Sequence, residues 1–326
     1  IRPAGDGQFV KDGRDAQAQW KGFVPFENVP KSIDPESGYV FSANARVAKG
    51  EYPYFVTWDF NPPYRALTIQ DKLSALKGKV SLENFKILQT DAFDRSASEL
   101  LPLMLKFLKT PEKAEKSILE NWNSHADPGS SAASLFYTWR EQFSQDLYTP
   151  SLGPREGNLY PKDMVLTEIL EAVSKGHRHQ GLWLLGDKPE EKLESLLSQS
   201  FASAVKVLRR NFGADTDDWA WGGVQETLVD HLIKIKPFGI KLQSMGGAVD
   251  AINANGGDHG PAWRHVARLG ENFELLVNYP GGQQGNPFDP GYDQFVEDWS
   301  VGDYRKAVFF KTAKEAREYR SQKGQQ

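Results

Sequence analysis

Hydrophobic positions in the middle of the chain recur at the spacing of an α-helix, with polar residues between them. Four such stripes predict four amphipathic helices, each with its apolar side chains in the core. The stripes are Ile69, Leu73 and Leu76; Leu101, Met104, Leu105 and Leu108; Leu135, Trp139 and Phe143; and Leu193, Leu197, Phe201, Ala204 and Leu208. Gly78 is a suitable end for the first helix, and Pro189 is a suitable start for the last. Another helix is predicted to begin at Thr110-Pro111-Glu112.

The pattern changes to strict alternation after residue 260. Residues 263–269 and 273–279 alternate with period two, and Gly270-Glu271-Asn272 between them is a suitable turn. These segments predict a β-hairpin. The tail from 312 has helical propensity, and we expect its last residues, Gly324-Gln325-Gln326, to fray.

The beginning of the chain differs from both of these regions. It is rich in proline, glycine and aromatic residues, and short apolar runs such as Gly38-Tyr39-Val40-Phe41 predict loops and brief strands. The chain therefore divides into a loop and strand region at 1–65, a mainly helical section at 66–260, and a hairpin with a tail at 261–326.

Composition and charge exclude several classes of protein. The chain has 326 residues, of which 39% are hydrophobic and 25% charged, as is typical of a globular protein. A net charge of -4 with both signs scattered offers no footprint for nucleic acid or anionic lipid. The chain contains no cysteine, so disulfides and a thiol nucleophile of its own are excluded. The sequence contains no run of roughly 18 apolar residues that would predict a membrane span.

Three ordered stretches carry more specific motifs. The first runs from Trp20-Lys21-Gly22 through an Asp34-Pro35 turn and Gly38-Tyr39 to Asn44. The second is Tyr64-Arg65-Ala66 at a helix start. The third is the loop Pro280-Gly281-Gly282-Gln283-Gln284-Gly285-Asn286, followed by Tyr292-Asp293 and Trp299. Together these stretches resemble the penicillin acylase family of N-terminal nucleophile hydrolases.

The resemblance implies a fold and an activity. The expected fold class is α+β, part of a four-layer αββα sandwich with a large helical middle section and strands near both ends. The expected reaction is hydrolysis of side-chain acyl amides of a penicillin, a cephalosporin, an acyl-homoserine lactone or a related small molecule. The chain differs from the family at Thr68, Gln284 and Gly291, where the family commonly has arginine, serine and histidine. These departures leave the acyl substrate open.

The family's nucleophile is a serine, threonine or cysteine at a chain terminus, whose own α-amine acts as the base. Ile1 cannot serve as this nucleophile. We therefore expect a C-terminal portion of a β subunit that is inactive alone and leaves an apolar face exposed. Its expected partners are the upstream part of the same subunit and an α subunit from the same self-processing precursor, or zymogen. The resemblance also implies a periplasmic or secreted protein.

The resemblance assigns roles to a few residues. Asn44 would donate its side-chain NH2 to the tetrahedral oxyanion, and Arg65 would orient Asn44 and the nucleophile. Arg46 would pin the loop. Asp59 is a candidate ligand for calcium, which the family often binds between its subunits. From the residues alone, the alternatives stay open that Asn44 caps a turn, that Arg65 forms a surface ion pair, and that Asp59 is a solvated or turn-capping carboxylate.

Two other functions remain open at this point. One is a non-catalytic, acylase-like binding module. The other is a glycoside hydrolase with paired carboxylates, for which Glu27 and Asp59 are the early candidates. The histidines do not favour a further site, because His177 and His179 are expected in an exposed loop, and no serine motif accompanies His259.

Overall fold

A computed structural model of the chain describes residues 10–48, 50, 52–57, 59–76, 78, 80–154, 160–242, 244–257, 259–271 and 273–323. Within these residues the α-helices are α1 (Tyr64–Leu76), α2 (Leu82–Gln89), α3 (Arg95–Phe107), α4 (Lys113–Glu120), α5 (Ser131–Leu152), α6 (Asp163–Lys175), α7 (Pro189–Phe212), α8 (Trp221–Gln225), α9 (Val296–Val301) and α10 (Ala313–Lys323). The strands are β1 (Thr227–Val229), β2 (Ile240–Leu242), β3 (Arg264–Arg268), β4 (Glu274–Asn278) and β5 (Arg305–Ala307).

The hydrophobic core lies where α5 packs against α7, with α3, α4 and α6 around them. Trp139 of α5 is fully buried at its centre. Its indole Nε1 donates to the carbonyl oxygen of Leu197 at 3.0 Å, and its ring meets Phe201 edge-on. Every residue of the predicted α7 stripe is buried. The sequence prediction of these two helices and of their core faces is confirmed.

Local signals set the ends of the helices. Ser130 caps α5 by accepting a hydrogen bond from the amide of Ala133, and Asp94 caps α3 in the same way. Gly176 ends α6 in the left-handed conformation that glycine adopts without steric cost. The helix predicted from Thr110 begins at Lys113 instead, because the amide of Lys113 bonds the carbonyl of Pro111 in a tight turn first.

The predicted hairpin is present as β3 and β4, paired antiparallel with His265 opposite Val277. Asn272, in its turn, lies outside the described residues. A third strand, β5, extends this sheet, and β1 pairs with β2 in a separate hairpin inside the section predicted to be mainly helical. Strands β1, β2 and β5 have three residues each, which is too short for an alternating pattern to reveal.

The described residues before α1 form no strand, so the prediction of brief strands near the start is wrong for them. Two single-turn 3₁₀ helices, Ala16–Ala18 and Phe26–Asn28, are the regular structure there. Phe23 is 90% exposed and Val40 is 62% exposed. A strand needs a neighbouring strand to pair its backbone groups, and the described residues offer this segment none.

The tail forms α10 as predicted, while its expected frayed end, residues 324–326, lies outside the described residues. Among the described helices, none combines the length and the apolar character needed to cross a membrane. The molecule is therefore a mixed helix and sheet structure, and the α+β class is confirmed.

We expect Trp139→Phe to lower the free energy of unfolding by about 2 to 3 kcal/mol, because it shrinks a filled core site and removes a buried donor. Trp183→Phe is the matched control, since Trp183 is 62% exposed and should change the free energy by no more than about 0.5 kcal/mol. Urea unfolding of both variants measures the difference. Equal effects of the two substitutions would contradict this description of the core.

Candidate active site

The structure brings the two main predicted site residues into contact. Arg65 is the second residue of α1, and its Nη2 donates to Asn44 Oδ1 at 2.8 Å. Asn44 has a φ of 59°, a left-handed conformation that asparagine tolerates better than most residues. The amide of Asn61 donates to the carbonyl of Asn44 at 3.1 Å, which connects the turn at Asn44 to the residues just before α1. Because Arg65 occupies the side-chain oxygen, the NH2 group of Asn44 is the part available to donate.

Asn44 and Arg65 line a cleft of 430 Å³. One wall comes from α5 and the start of α6, through Arg140, Glu141, Ser144, Lys162 and Asp163. Further lining residues come from the segment 246–257 and 259–261, which we call the wall segment, namely Val249, Asp250, Ile252, Ala254, His259, Gly260 and Pro261. The cleft is therefore lined by both polar and apolar side chains and carries charges of both signs.

An ion pair lies in the α5 and α6 wall. Arg140 Nη1 contacts Asp163 Oδ2 at 2.8 Å, and the guanidinium lies 5.1 Å from the ring centre of Tyr137. Burial lowers the pKa of Arg140, but Asp163, Tyr137 and Asp94 outweigh it and raise that pKa above its ordinary value. Burial beside Asp94 also raises the pKa of the Tyr137 hydroxyl well above its ordinary value. Both groups therefore keep their protons, and Arg140 stays charged.

Asp250 is the carboxylate of the cleft with the most perturbed titration. Burial, followed by the charges of Asp94 and Asp163, raises the pKa of Asp250 to about 6, while Arg140 and Arg65 oppose the shift. A carboxylate with this pKa in a polar cleft is a candidate functional residue. The sequence analysis missed it, because nothing around Asp250 forms a motif and only the fold brings it near Arg65.

Backbone contacts hold Asp250 in place. The segment around Ala251 forms an isolated β-bridge with Asp94, just before α3. The amide of Asn253 donates to the carbonyl of Asp91 at 2.9 Å, and that of Gly247 donates to the carbonyl of Ala126 at 2.8 Å. These main-chain bonds flank Asp250 on both sides and attach its segment to the residues before α3 and α5.

The other predicted residues lie elsewhere. Arg46 stacks its guanidinium 5.8 Å from the ring centre of Phe60 and does not line the cleft. Asp59 is exposed, and Trp58 beside it lies outside the described residues. Within the described ranges, no group of three or more histidine, cysteine, aspartate or glutamate side chains could hold a metal ion. Calcium also binds carbonyl oxygens, which such a group does not include, so the calcium role of Asp59 stays a prediction.

Of the histidines, His179 and His231 make local contacts, and His259 lies in the cleft. His179 Nδ1 accepts a hydrogen bond from the amide of Gly181 at 3.0 Å, and its ring lies beside Glu168. His231 packs against the ring of Phe238. His259 differs from them, since it lines the cleft with Asn44.

Comparison with known proteins identifies the family. The model of the penicillin amidase family matches residues 1–316. The chain belongs to the penicillin amidase family. This membership overturns the glycoside hydrolase hypothesis, and its two candidate carboxylates, Glu27 and Asp59, are both exposed and do not line the cleft.

Individual members of the penicillin amidase family are similar along most of this chain. The penicillin acylase 2 proenzyme of Pseudomonas sp. (strain SE83) is 25% identical over 326 residues, which cover 92% of this chain and 40% of that protein. The acyl-homoserine lactone acylase QuiP of Pseudomonas syringae pv. tomato is 24% identical, over 93% of this chain and 41% of that protein. The chain thus spans about two fifths of the length of these curated relatives.

A solved structure supports the penicillin amidase fold. The thermostable penicillin G acylase from Alcaligenes faecalis superposes with a TM-score of 0.53 at 16% identity, over 92% of this chain and 59% of that chain. At this identity the likeness concerns the fold, and it agrees with the expected α+β class.

Asp250→Asn should stabilise the chain at neutral pH. Because the folded pKa is raised from 3.8 to about 6, the folded chain keeps a proton that the unfolded chain releases. The stabilisation is full below the unfolded pKa and is lost as the pH rises through the folded one. The variant should therefore gain roughly 3 kcal/mol at pH 7.5 and only about 1 kcal/mol at pH 4.5.

Urea unfolding at both pH values measures this difference. Asp127→Asn serves as the control, since Asp127 is exposed and lies outside the cleft, and it should change stability by less than about 0.5 kcal/mol. A gain for Asp250→Asn that did not grow with pH would contradict the assignment.

Proposed function

We propose that this chain is the C-terminal part of the catalytic β subunit of an acylase, which hydrolyses the linear amide bond between an acyl group and an amine. The observation that carries the proposal is the hydrogen bond from Arg65 to Asn44 at the edge of the cleft. It leaves the NH2 group of Asn44 free to donate, as an acyl-transfer site requires for the oxyanion of its tetrahedral intermediate. Membership of the penicillin amidase family supports the same reaction.

The proposed reaction uses a nucleophile from a segment outside this chain. Its hydroxyl or thiol attacks the amide carbonyl carbon, and its own α-amine takes the proton. Asn44 donates to the oxyanion that forms. The C–N bond then breaks, the amine leaves with the proton, and an ester or thioester to the acyl group remains. Water hydrolyses this intermediate, releasing a carboxylic acid and the free nucleophile.

Arg65 supports this chemistry as a fixed cation. Its guanidinium fork holds the oxygen of Asn44, so the NH2 group keeps one orientation. A positive charge close to the nucleophile's α-amine favours the uncharged form of that amine, which is the form that acts as a base. Asp250 limits this effect, because its negative charge above its pKa of about 6 offsets part of the charge of Arg65.

The proposed partners are the upstream part of the same β subunit and an α subunit cut from the same self-processing precursor. Exposed apolar side chains support this, since Phe23 and Phe26 are 90% and 82% exposed and Ile33 is 75% exposed. Three large apolar side chains exposed within one short stretch of sequence fit a surface that another segment covers. A strand from those partner segments would also supply the strand pairing that the described residues before α1 do not have.

The proposed substrate is a small-molecule acyl amide: a penicillin, a cephalosporin, an acyl-homoserine lactone or a related compound. Penicillin and acyl-homoserine lactone acylases are both among the relatives, which supports the class without choosing a member. A periplasmic or secreted location is part of the same proposal. A calcium ion in the intact protein would need ligands beyond Asp59, and no step of the reaction uses it.

Asn44→Ala in the complete, processed enzyme should lower kcat by about 10² or more while KM stays within a few-fold, because an oxyanion donor acts mainly on the transition state. Asn44→Asp should be no better, since a carboxylate offers acceptors where a donor is needed. Steady-state kinetics on a phenylacetyl amide and a fatty-acyl amide measure the loss. Asn28→Ala is the control, because Asn28 is an exposed asparagine outside the cleft. Near-normal kcat in Asn44→Ala would make Asn44 a turn residue only.

The isolated chain should hydrolyse neither amide, since the proposed nucleophile is not part of it. Mixing it with the separately produced remainder of the precursor should yield a complex and restore turnover. Size-exclusion chromatography and amine release report the two effects. Turnover by the chain alone refutes the proposal, and a complex without turnover favours a non-catalytic binding module.

A further inference from the structure

Arg264 is a buried cation outside the reacting groups. It is the first residue of β3 and is only 4% exposed. Burial of a guanidinium is costly unless its donors are matched by acceptors. The acceptors of Arg264 therefore identify the segments of the chain that this residue connects.

The two described hydrogen bonds of Arg264 point to different parts of the chain. Its Nη2 donates to the side-chain oxygen of Asn253 at 2.7 Å, and its Nη1 donates to the carbonyl of Trp299 at 2.9 Å. The guanidinium also lies 5.6 Å from the ring centre of Trp299. Arg264 thus connects the wall segment to α9.

Trp299 makes a second connection to the wall segment. Its Nε1 donates to the carbonyl of Pro261 at 2.9 Å. A Cβ atom placed on Gly260 would lie 3.0 Å from the Trp299 ring, so the two are packed as closely as a glycine permits. Gly260 and Pro261 both line the cleft. The indole therefore supports the wall directly behind the cleft surface.

The wall segment is tightened internally by its asparagines. Asn253 Nδ2 and Asn255 Nδ2 both donate to the carbonyl of Gly246, at 3.1 and 3.2 Å. Since Arg264 holds the oxygen of Asn253, it orients the amide that closes this loop. The loop so closed contains Asp250.

We propose that Arg264 is a positioning residue of the candidate active site, which, with Trp299, holds the wall segment so that Asp250 and His259 line the same cleft as Arg65 and Asn44. The catalytic part of this inference rests on the proposed function. The positional part does not, because it concerns only where Asp250 lies.

An arginine is required by the geometry. One planar group reaches acceptors in two directions and stacks on an indole, whereas an ammonium on a flexible stem is a single point charge. Arg264→Lys therefore keeps the charge but should hold either Asn253 or Trp299, not both. The matched control is Arg268→Lys in the same strand, because the Arg268 side chain is exposed and pairs with Glu274 at 2.8 Å.

The first test follows the titration of Asp250 in the 326-residue chain by carbon NMR of labelled aspartate, with Asp250→Asn to assign the signal. The groups that set this titration are Asp94 before α3, Asp163 of α6, Arg140 of α5 and Arg65 of α1. Burial is the largest cause of the shift, so a loosened wall that admits water should lower the pKa. We expect a fall of about half a pH unit or more in Arg264→Lys and no change in Arg268→Lys.

The second test is activity of the complete, processed enzyme. Arg264→Lys should lower kcat about tenfold or more with KM within a few-fold, because displaced groups cost reactivity more than binding. If the complete wild-type enzyme hydrolyses no acyl amide, the proposed function fails, and the titration still decides the role of Arg264.

Two outcomes overturn the proposal. One is an Arg264→Lys chain that is less stable but has an unchanged Asp250 titration, which is the result of a purely structural role. If that variant does not fold, Trp299→Phe replaces it, since it keeps a ring beneath the guanidinium and removes the bond to Pro261. An unchanged Asp250 titration in folded Trp299→Phe is the second outcome.

Discussion

The carboxylate of Asp94 is nearly fully buried, and the arrangement of the cleft depends on how its charge is satisfied. An ionised group in the interior needs several donors. Asp94 takes them from the amide of Ala97 at 3.2 Å, the hydroxyl of Ser96 at 2.7 Å and the hydroxyl of Tyr137 at 2.7 Å. One of these donors belongs to α5 and two begin α3. The same aspartate bridges through its backbone to Ala251, so one residue joins the helical core to the wall of the cleft.

Three carboxylates, those of Asp94, Asp163 and Asp250, lie at or near the cleft. Within the described residues, only Asp163 of these three is paired directly with an arginine. Asp163 has a direct partner in Arg140 at 2.8 Å, and Asp94 is satisfied by neutral donors. Burial first, and then the charges of Asp94 and Asp163, raise the pKa of Asp250 to about 6, and the attraction of Arg140 and Arg65 offsets only part of this rise. Shifted pKa values of this kind are concentrated at functional sites. The structure thus contains, in the same cleft as the proposed oxyanion donor Asn44, a carboxylate whose charge changes near neutral pH.

The remaining contacts of the site come from two directions along the chain. Asn44 and Arg65 are 21 positions apart and meet through a left-handed turn and a helix start. The wall segment depends on Arg264 and Trp299, which lie 35 positions apart and act on the cleft only through the loop that they support. The exposed aromatic side chains before α1 belong to neither wall. We assign their burial to the other segments of the proposed acylase.

The sequence by itself determined the helices whose apolar stripes are long, such as α5 and α7, and the hairpin whose alternation is regular, because periodicity is a local property. It also determined the pairing of Asn44 with Arg65, since ordered motifs resemble those of a known family. Tertiary structure alone decided the rest. Asp250 and Arg264 act through partners that are distant in sequence, and burial and charge at those positions arise only when α3, α5, α6 and the wall segment pack together. The prediction of brief strands before α1 was wrong for the same reason, because a strand is stable only beside the strand that pairs with it.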